Sequence, residues 1–170
     1  MNREFAIAGE EFMERVPITR AGYDRLQSEL KRLQKEERPA VIKAIAEARD
    51  HGDISENAEY EAAKDKQGMI EGRIIDLSQK LGRCEIIEGT SGNGNEDRVI
   101  FGSTVVVEDL ETEEQITYRM VGPFEADIQA GTLSVISPLG KALIGKQEGD
   151  EIRVQTPKGL KEFEIVEVRF

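Results

Sequence analysis

The chain has 170 residues and a mass of 19.0 kDa, room for one ordinary domain or two small ones. With 34% charged and 38% hydrophobic residues, and no run of about 18 apolar side chains, its sequence offers no transmembrane helix. A net charge of −11 disfavours non-specific binding to duplex nucleic acid, because phosphate contacts need clustered Lys and Arg.

Charge and glycine are unevenly spread. Residues 1–84 hold 15 basic and 17 acidic residues and 6 of the 16 glycines, whereas residues 85–170 hold 8, 17 and 10. This change of texture predicts two modules. Residues 1–12, MNREFAIAGEEF, read as an N-terminal extension. They carry no charged-then-apolar leader with a small-residue cleavage site, so a cytoplasmic location is expected.

Residues 13–88 read as two long helices. Thr19, after Pro17, is the expected N-cap of the first. Tyr23, Leu26, Leu30 and Leu33 follow at spacings of 3, 4 and 3, the seam of a coiled coil. Pro39 removes a backbone donor and is expected to kink or restart the helix. Val41, Ile42, Ile45 and Ala46 are expected to resume the stripe, which fades near His51 and Gly52. The second helix is expected from Gly52 onward. Its seam, Tyr60, Ala63, Gln67, Ile70, Ile74, Leu77 and Leu81, alternates spacings of 3 and 4. Gln67 is the one polar member and reads as a register-setting residue. Neither helix can bury its stripe alone, so the pair predicts an antiparallel coiled-coil hairpin with a turn near 50–57 at its far end.

Cys84 closes this module as a small buried or half-buried residue. As the only cysteine it cannot form an internal disulfide. With His51 the only histidine, Cys/His zinc sites are excluded, and a Ser-His-Asp triad would have to use His51 without a nucleophile elbow. Residues 89–97, GTSGNGNED, form a linker. In 98–170, β-branched runs at 99–109, 115–121, 132–137, 151–156 and 161–170 predict five strands. Residues 137–150 predict a short helix and a loop, and TPKG at 156–159 a turn. The fold class is therefore α+β in two domains. The second domain has no catalytic spacing and reads as a binding module.

The tip carries the chemistry. Asp53 and Glu56 stand three apart before the second helix. On spacing alone a capping box is the simpler explanation, with Ser55 a rival N-cap that would release both carboxylates. The alternative is metal chemistry in trans. Mg²⁺ is commonly held by one or two protein carboxylates together with waters and phosphate oxygens. Two carboxylates are too few to hold it alone, but they could complete a site that another protein half-builds.

The stretch EARDHGDISENAEYEAAKDKQGMIEGRI (47–74) resembles the signature of the bacterial Gre transcript-cleavage factors, A type. PITRAGYDRLQSEL (17–30) is similar to the opening helix of that family. RVIFGSTVVV (98–107), YRMVG (118–122), EADIQAGTLSVISPLGKALIGK (125–146) and TPKG (156–159) are similar to its C-terminal domain. The resemblance spans about residues 13–170. It implies a coiled-coil hairpin followed by an FKBP-like domain that docks on the rim of the secondary channel of bacterial RNA polymerase. The hairpin then reaches the active centre. There Asp53 and Glu56 help to bind a second Mg²⁺ shared with polymerase, none being bound by the chain alone, and activate water. The 3′ end of a backtracked nascent RNA is cut and the arrested complex is rescued. By the same resemblance catalysis belongs to polymerase, and the factor is expected not to be an enzyme itself.

The resemblance also matches Arg49 and Lys64 to positions contacting the extruded RNA, against the plainer reading of a solvated charged face. It matches Ile136, Ser137 and Pro138 to the polymerase-docking region, against an ordinary strand end before a Pro-started helix. Tyr60 could position the tip or the RNA, though a seam aromatic reads rather as core; Asn57 reads as either a partner of Glu56 or a surface residue of the first turn; His51 could shuttle a proton, though it reads rather as a polar turn residue. No membrane partner is expected. The lack of a seam beyond the hairpin predicts a monomer. Three other readings compete. A channel-blocking inhibitor of the same family would carry a different acidic tip. An isomerase or chaperone would need an aromatic-lined pocket, and this domain has only Phe101, Tyr118, Phe124, Phe163 and Phe170. A purely structural adaptor would be insensitive to changes at the tip.

Overall fold

The computed structural model describes residues 15–51, 57–88 and 97–170. By packing, the chain divides into a hairpin unit, Tyr23–Arg83, and a sheet unit. The sheet unit joins the described residues up to Gly22 to the described part of Cys84–Phe170. The short strands β1 (Val16–Ile18) and β2 (Cys84–Ile86) therefore pack with the sheet unit. They pair in parallel, Val16 with Cys84 and Ile18 with Ile86. The N-terminal extension and most of the linker lie outside the described residues.

Helix α1 (Arg20–Arg32) starts where Thr19 predicts: the Gly22 N–H donates to the Thr19 hydroxyl at 3.0 Å. Leu26 and Leu33 are buried, as their spacing requires. The helix restarts at Pro39, as expected. A single π turn, Leu33–Glu37, precedes it, and helix α2 (Arg38–Asp50) continues with Pro39 in its first turn. The Arg38 N–H donates five residues back to the Leu33 carbonyl.

This turn resets the seam. Continued in steps of 4 and 3 from Leu33, the pattern reaches positions 37, 40, 44 and 47. The buried residues are instead Val41, Ile45 and Ala48, each one later. A π turn takes up one extra residue, and the phase slips by that amount. The expected stripe is corrected accordingly. Ile42 is 51% exposed and Ala46 is exposed, while Ala48 is buried.

Helix α3 (Ala58–Arg83) is the return arm, 26 residues long and about 39 Å at 1.5 Å per residue. Its seam is as expected: Ile70, Ile74 and Leu77 are buried, and Tyr60, Ala63, Gln67 and Leu81 are half-buried. Each fully buried Leu or Ile contributes roughly 1.5–3 kcal/mol. Two bidentate ion pairs cross between the arms. Arg73 Nε donates to Glu29 Oε1 at 2.8 Å and Nη2 to Oε2 at 3.1 Å. Arg38 Nε donates to Glu71 Oε1 at 2.6 Å. The Arg73 hydrogen bonds hold Glu29 below the usual carboxylate range, and Arg38 does the same for Glu71.

In the sheet unit, β3 (Thr104–Asp109), β4 (Gln115–Val121), β5 (Thr132–Ser134), β6 (Glu151–Thr156) and β7 (Gly159–Arg169) form one sheet in the order β5-β4-β3-β7-β6. Only β4 and β5 pair in parallel. Val105, Val107, Tyr118, Met120, Ile152, Val154, Phe163 and Ile165 line the buried face, which Leu143 of α4 (Pro138–Leu143) joins. A bulge in β7 opposite Val106 and Val107 absorbs one residue. Inward positions therefore switch from Phe163 and Ile165 to Val168, and Val166 faces out. The five strands and one helix are as expected, but the strands expected at 99–109 and 132–137 are shorter, starting at Thr104 and ending at Ser134. Val99 still belongs to the core through its own bonds: its N–H donates to the Lys146 carbonyl at 2.7 Å.

Candidate functional site

Two places carry the site residues: the turn end of the hairpin unit and the loop before α4 in the sheet unit. At the turn, α2 ends at Asp50, and the His51 ring Nδ1–H donates to the Glu47 carbonyl at 2.7 Å. Helix α3 begins at Ala58, later than the sequence suggests, and its N-cap is Asn57. The Asn57 side-chain oxygen accepts the Tyr60 N–H at 3.1 Å. Its backbone carbonyl accepts the Glu61 N–H at 3.1 Å. Its amide nitrogen donates across to the Ala48 carbonyl at 2.7 Å. One asparagine thus caps the second arm and ties it to the last turn of the first. The expected caps of α3, Asp53 or Ser55, are corrected to Asn57.

Asp53 and Glu56 themselves lie outside the described residues. Among the described residues no group of three or more His, Cys, Asp or Glu side chains could hold a metal ion. A pair of carboxylates at the turn fits Mg²⁺ only as part of a shared set, since the ion takes the rest of its oxygen ligands from phosphate and water.

Arg49 stands over the Tyr60 ring, its guanidinium carbon 5.8 Å from the centroid. Tyr60, expected in the core, is half-buried beneath this cation, a contact worth about 0.5–1 kcal/mol at an exposed position. Lys64, one turn beyond Tyr60 on the same side of α3, is exposed and donates to Gln67 Oε1 at 3.2 Å. Arg49, Tyr60 and Lys64 therefore make a strip with two cations and one aromatic face beside the turn. Arg49 and Lys64 were legible as a pair from the resemblance; the contact of Arg49 with the Tyr60 ring was not.

In the sheet unit Ile136 is 56% exposed. Ser137 is the N-cap of α4: its hydroxyl accepts the Gly140 N–H at 3.0 Å and donates to the Ser134 carbonyl at 2.7 Å. Pro138 occupies the first turn, where a missing N–H costs nothing. The loop is rigid by its own bonds and presents one large apolar side chain. Next to it, Pro17, Ile87, Ile100, Phe101, Val135 and Ile144 line a shallow apolar cleft of about 440 Å³, with Lys141 at its edge. Among the described residues no helix is long and apolar enough to cross a membrane.

Two family models match the chain, one in each half. Residues 16–86 match the family model "Transcription elongation factor, N-terminal", and residues 94–170 match "Transcription elongation factor, GreA/GreB, C-term". The transcription elongation factor GreA of Syntrophobacter fumaroxidans is 69% identical over 157 residues, covering 92% of this chain and 99% of the relative. That of Paracoccus denitrificans is 54% identical over 158 residues, covering 93% and 99%. Among solved structures, Gfh1 of Thermus thermophilus is 34% identical, covers 91% of this chain and 99% of its own, and superposes with a TM-score of 0.41. With both of its halves matched and relatives of this identity over nearly their whole length, the chain belongs to the GreA/GreB family of transcription elongation factors.

Proposed function

We propose that the chain enters the secondary channel of bacterial RNA polymerase hairpin first and stimulates cleavage at the 3′ end of backtracked nascent RNA. Asp53 and Glu56 are the working carboxylates. The observation that carries this reading is the cap of α3. Asn57 does the capping, so helix termination gives no reason for two further acids at the turn. The clamp to Ala48 closes the arms just behind the turn, which suits delivery of side chains at its end.

Each part of the chain then has one task. The carboxylates of Asp53 and Glu56 offer oxygen ligands to Mg²⁺ and an acceptor for a proton of the attacking water. When bound, Mg²⁺ supplies a lowered pKa and a fixed direction for that water. The Arg49–Tyr60–Lys64 strip holds the extruded RNA, its cations meeting phosphates and the ring offering a stacking face. The loop at Ile136, Ser137 and Pro138 docks on the channel rim, Ile136 supplying the apolar contact. The bonds that break and form lie in polymerase's active centre, so the factor acts as an accessory and not as a free-standing enzyme.

The test adds the chain to a stalled, backtracked bacterial elongation complex with Mg²⁺. Shortening of the RNA from its 3′ end is expected. Tight binding to polymerase with no shortening would assign the chain to the channel-blocking readers of the same site.

A further inference from the structure

We propose that the apolar cleft of the sheet unit is the seat of the chain's own N-terminal segment, residues 1–14, and that the seated segment competes with polymerase for this face. The first part stands on the cleft and the sequence; the second rests on the docking-loop reading above.

The cleft is built before anything enters it. Pro17 of β1, Ile100, Val135 and Ile144 form its walls, all within the sheet unit. Backbone bonds fix each of them. Pro17 stands in register with Glu85 of β2. The Ser103 hydroxyl accepts the Ile100 N–H at 3.1 Å and donates to the Ile100 carbonyl at 2.7 Å. The Val135 N–H donates to the Val121 carbonyl and the Ile144 N–H to the Gly140 carbonyl, both at 3.0 Å. At about 440 Å³ the space is as large as a small ligand site. Its lining stays partly open to solvent, with Ile87 40% and Ile144 39% exposed. Apolar surface left open in this way favours an apolar group that can cover it.

Three observations favour residues 1–14 as the occupant. The first is reach. These residues lie outside the described ones and join them at Arg15, two residues before Pro17 in the cleft wall. At about 3.3–3.6 Å per extended residue, Phe12 can stand up to about 17 Å from Pro17 and Phe5 up to about 40 Å, so both can come back to the cleft. The second is composition: Phe5, Ile7, Phe12 and Met13 supply large apolar side chains. The third is charge. The segment carries Glu4, Glu10, Glu11 and Glu14 against the single Arg3. The cleft meets it with cations, in a half of the chain that is otherwise acidic. Lys141 stands at its edge, and Arg98 donates to the Gly145 carbonyl at 2.9 Å, next in the chain to Ile144. A second copy could present the same segment. A short tether, however, gives the chain's own segment an effective concentration of order millimolar, so at micromolar protein the intramolecular seat wins.

Val135 in the cleft wall is followed directly by Ile136 of the proposed docking loop. A segment seated there covers the face that polymerase is proposed to use. Where the cleft is open for only a fraction of the time, polymerase affinity is reduced by that fraction. A thiol reagent attacking a cysteine in the cleft is slowed by the same fraction. The two effects must therefore agree in size.

The experiment uses the full chain with Cys84→Ser and Ile144→Cys, with and without Phe5→Ser, Ile7→Ser and Phe12→Ser, each checked by thermal unfolding. Thiol labelling at position 144 is expected to be at least about threefold faster in the serine variant, and polymerase affinity before labelling higher by the same factor. With p-benzoylphenylalanine in place of Phe12, irradiation at low micromolar concentration should give a monomeric product crosslinked to peptides containing Ile100, Val135 or Ile144. Equal labelling rates, or crosslinks that fall elsewhere, mean an open cleft and overturn the proposal. Crosslinks to the cleft found only in a covalent dimer give the seat to a second copy and overturn it too. Faster labelling with unchanged affinity overturns the competition and leaves the seat. If Ile136→Asp also leaves affinity unchanged, the docking-loop reading has failed, and labelling and crosslinks alone decide the seat.

Discussion

Asn57 donates from its side-chain amide to the Ala48 carbonyl at 2.7 Å while its side-chain oxygen accepts the Tyr60 N–H at 3.1 Å. A single side chain thus ends one helix contact and begins the next, nine residues apart. Replacing it with Ala removes the cap of α3 and leaves a carbonyl of α2 without this donor. The expected loss is about 1–2 kcal/mol of stability. Hydrogen exchange should speed up at Tyr60 and Glu61 while Ile74 and Leu77 stay protected. Cleavage stimulation should fall more than polymerase affinity, because the clamp adjoins the turn that carries Asp53 and Glu56 and takes no part in the proposed docking loop.

The π turn makes a prediction about length. Deleting the exposed Glu36 together with Pro39→Ala should convert the first arm to unbroken α-helix with Leu33, Val41, Ile45 and Ala48 still on one seam. Thermal unfolding should show the doubly changed chain at least as stable as wild type. Pro39→Ala alone should retain the π turn, because the buried stripe, not the proline, demands the extra residue. A large loss of stability on the deletion would mean that the phase argument is wrong.

How much of this was legible in the sequence varies with distance along the chain. The α3 seam could be read because it depends on a period within one helix, and Ile70, Ile74 and Leu77 are buried as their spacing requires. The π turn was present as a phase slip between Leu33 and Val41, but Ile42 and Ala46, each next to a buried position, blurred which residues form the stripe. Asn57 was hidden because three residues from 53 to 57, Asp53, Ser55 and Asn57, can all cap a helix, and only the backbone path decides among them. The Glu125–Thr19 bond and the β1–β2 pairing join residues far apart, and nothing local marks Pro17 as part of a strand. Of the candidate site, the basic residues and docking loop were legible only through resemblance; the Tyr60 ring under Arg49 needed the three-dimensional fold.

Acid should weaken the hairpin in a defined way. Hydrogen bonds from Arg73 and Arg38 lower the Glu29 and Glu71 pKa values in the folded chain below the ordinary 4.5. A carboxylate depressed on folding contributes stability above its unfolded value and loses it as pH falls through the folded one. The melting temperature should therefore drop as pH falls below about 4.5. In Arg38→Gln with Arg73→Gln that drop should be shallower, and added salt should narrow the difference because both pairs are partly exposed. A pH profile identical in the two proteins would remove these pairs from the account.

The proposed docking loop should separate binding from stability. Ile136 is exposed, so Ile136→Asp should leave the melting temperature within about 0.5 kcal/mol equivalent of wild type. Polymerase affinity, measured by competition, should fall about tenfold or more, as for an apolar anchor at an interface. At saturating factor the cleavage rate should be normal. A normal affinity would move docking to another surface of the sheet unit.

The strip beside the turn should respond to charge. Lys64→Glu and Arg49→Ala should weaken crosslinking of the extruded RNA 3′ end and flatten the salt dependence of stimulation, since each removes one cation–phosphate contact. Tyr60→Leu should keep the seam filled while removing the stacking face. If all three changes leave RNA crosslinking untouched, the strip is a solvated face and Arg49 serves only Tyr60.

Asp53 and Glu56 are proposed to work on a shared Mg²⁺ in polymerase's active centre. The most direct measurement is the Mg²⁺ dependence of cleavage in a backtracked elongation complex saturated with wild type, Asp53→Asn or Glu56→Gln. Both variants are expected to bind polymerase normally, to require far more Mg²⁺, and to cleave at a rate reduced by at least about a hundredfold at wild-type Mg²⁺ levels. Cleavage by either variant at the wild-type rate and the wild-type Mg²⁺ requirement would contradict it.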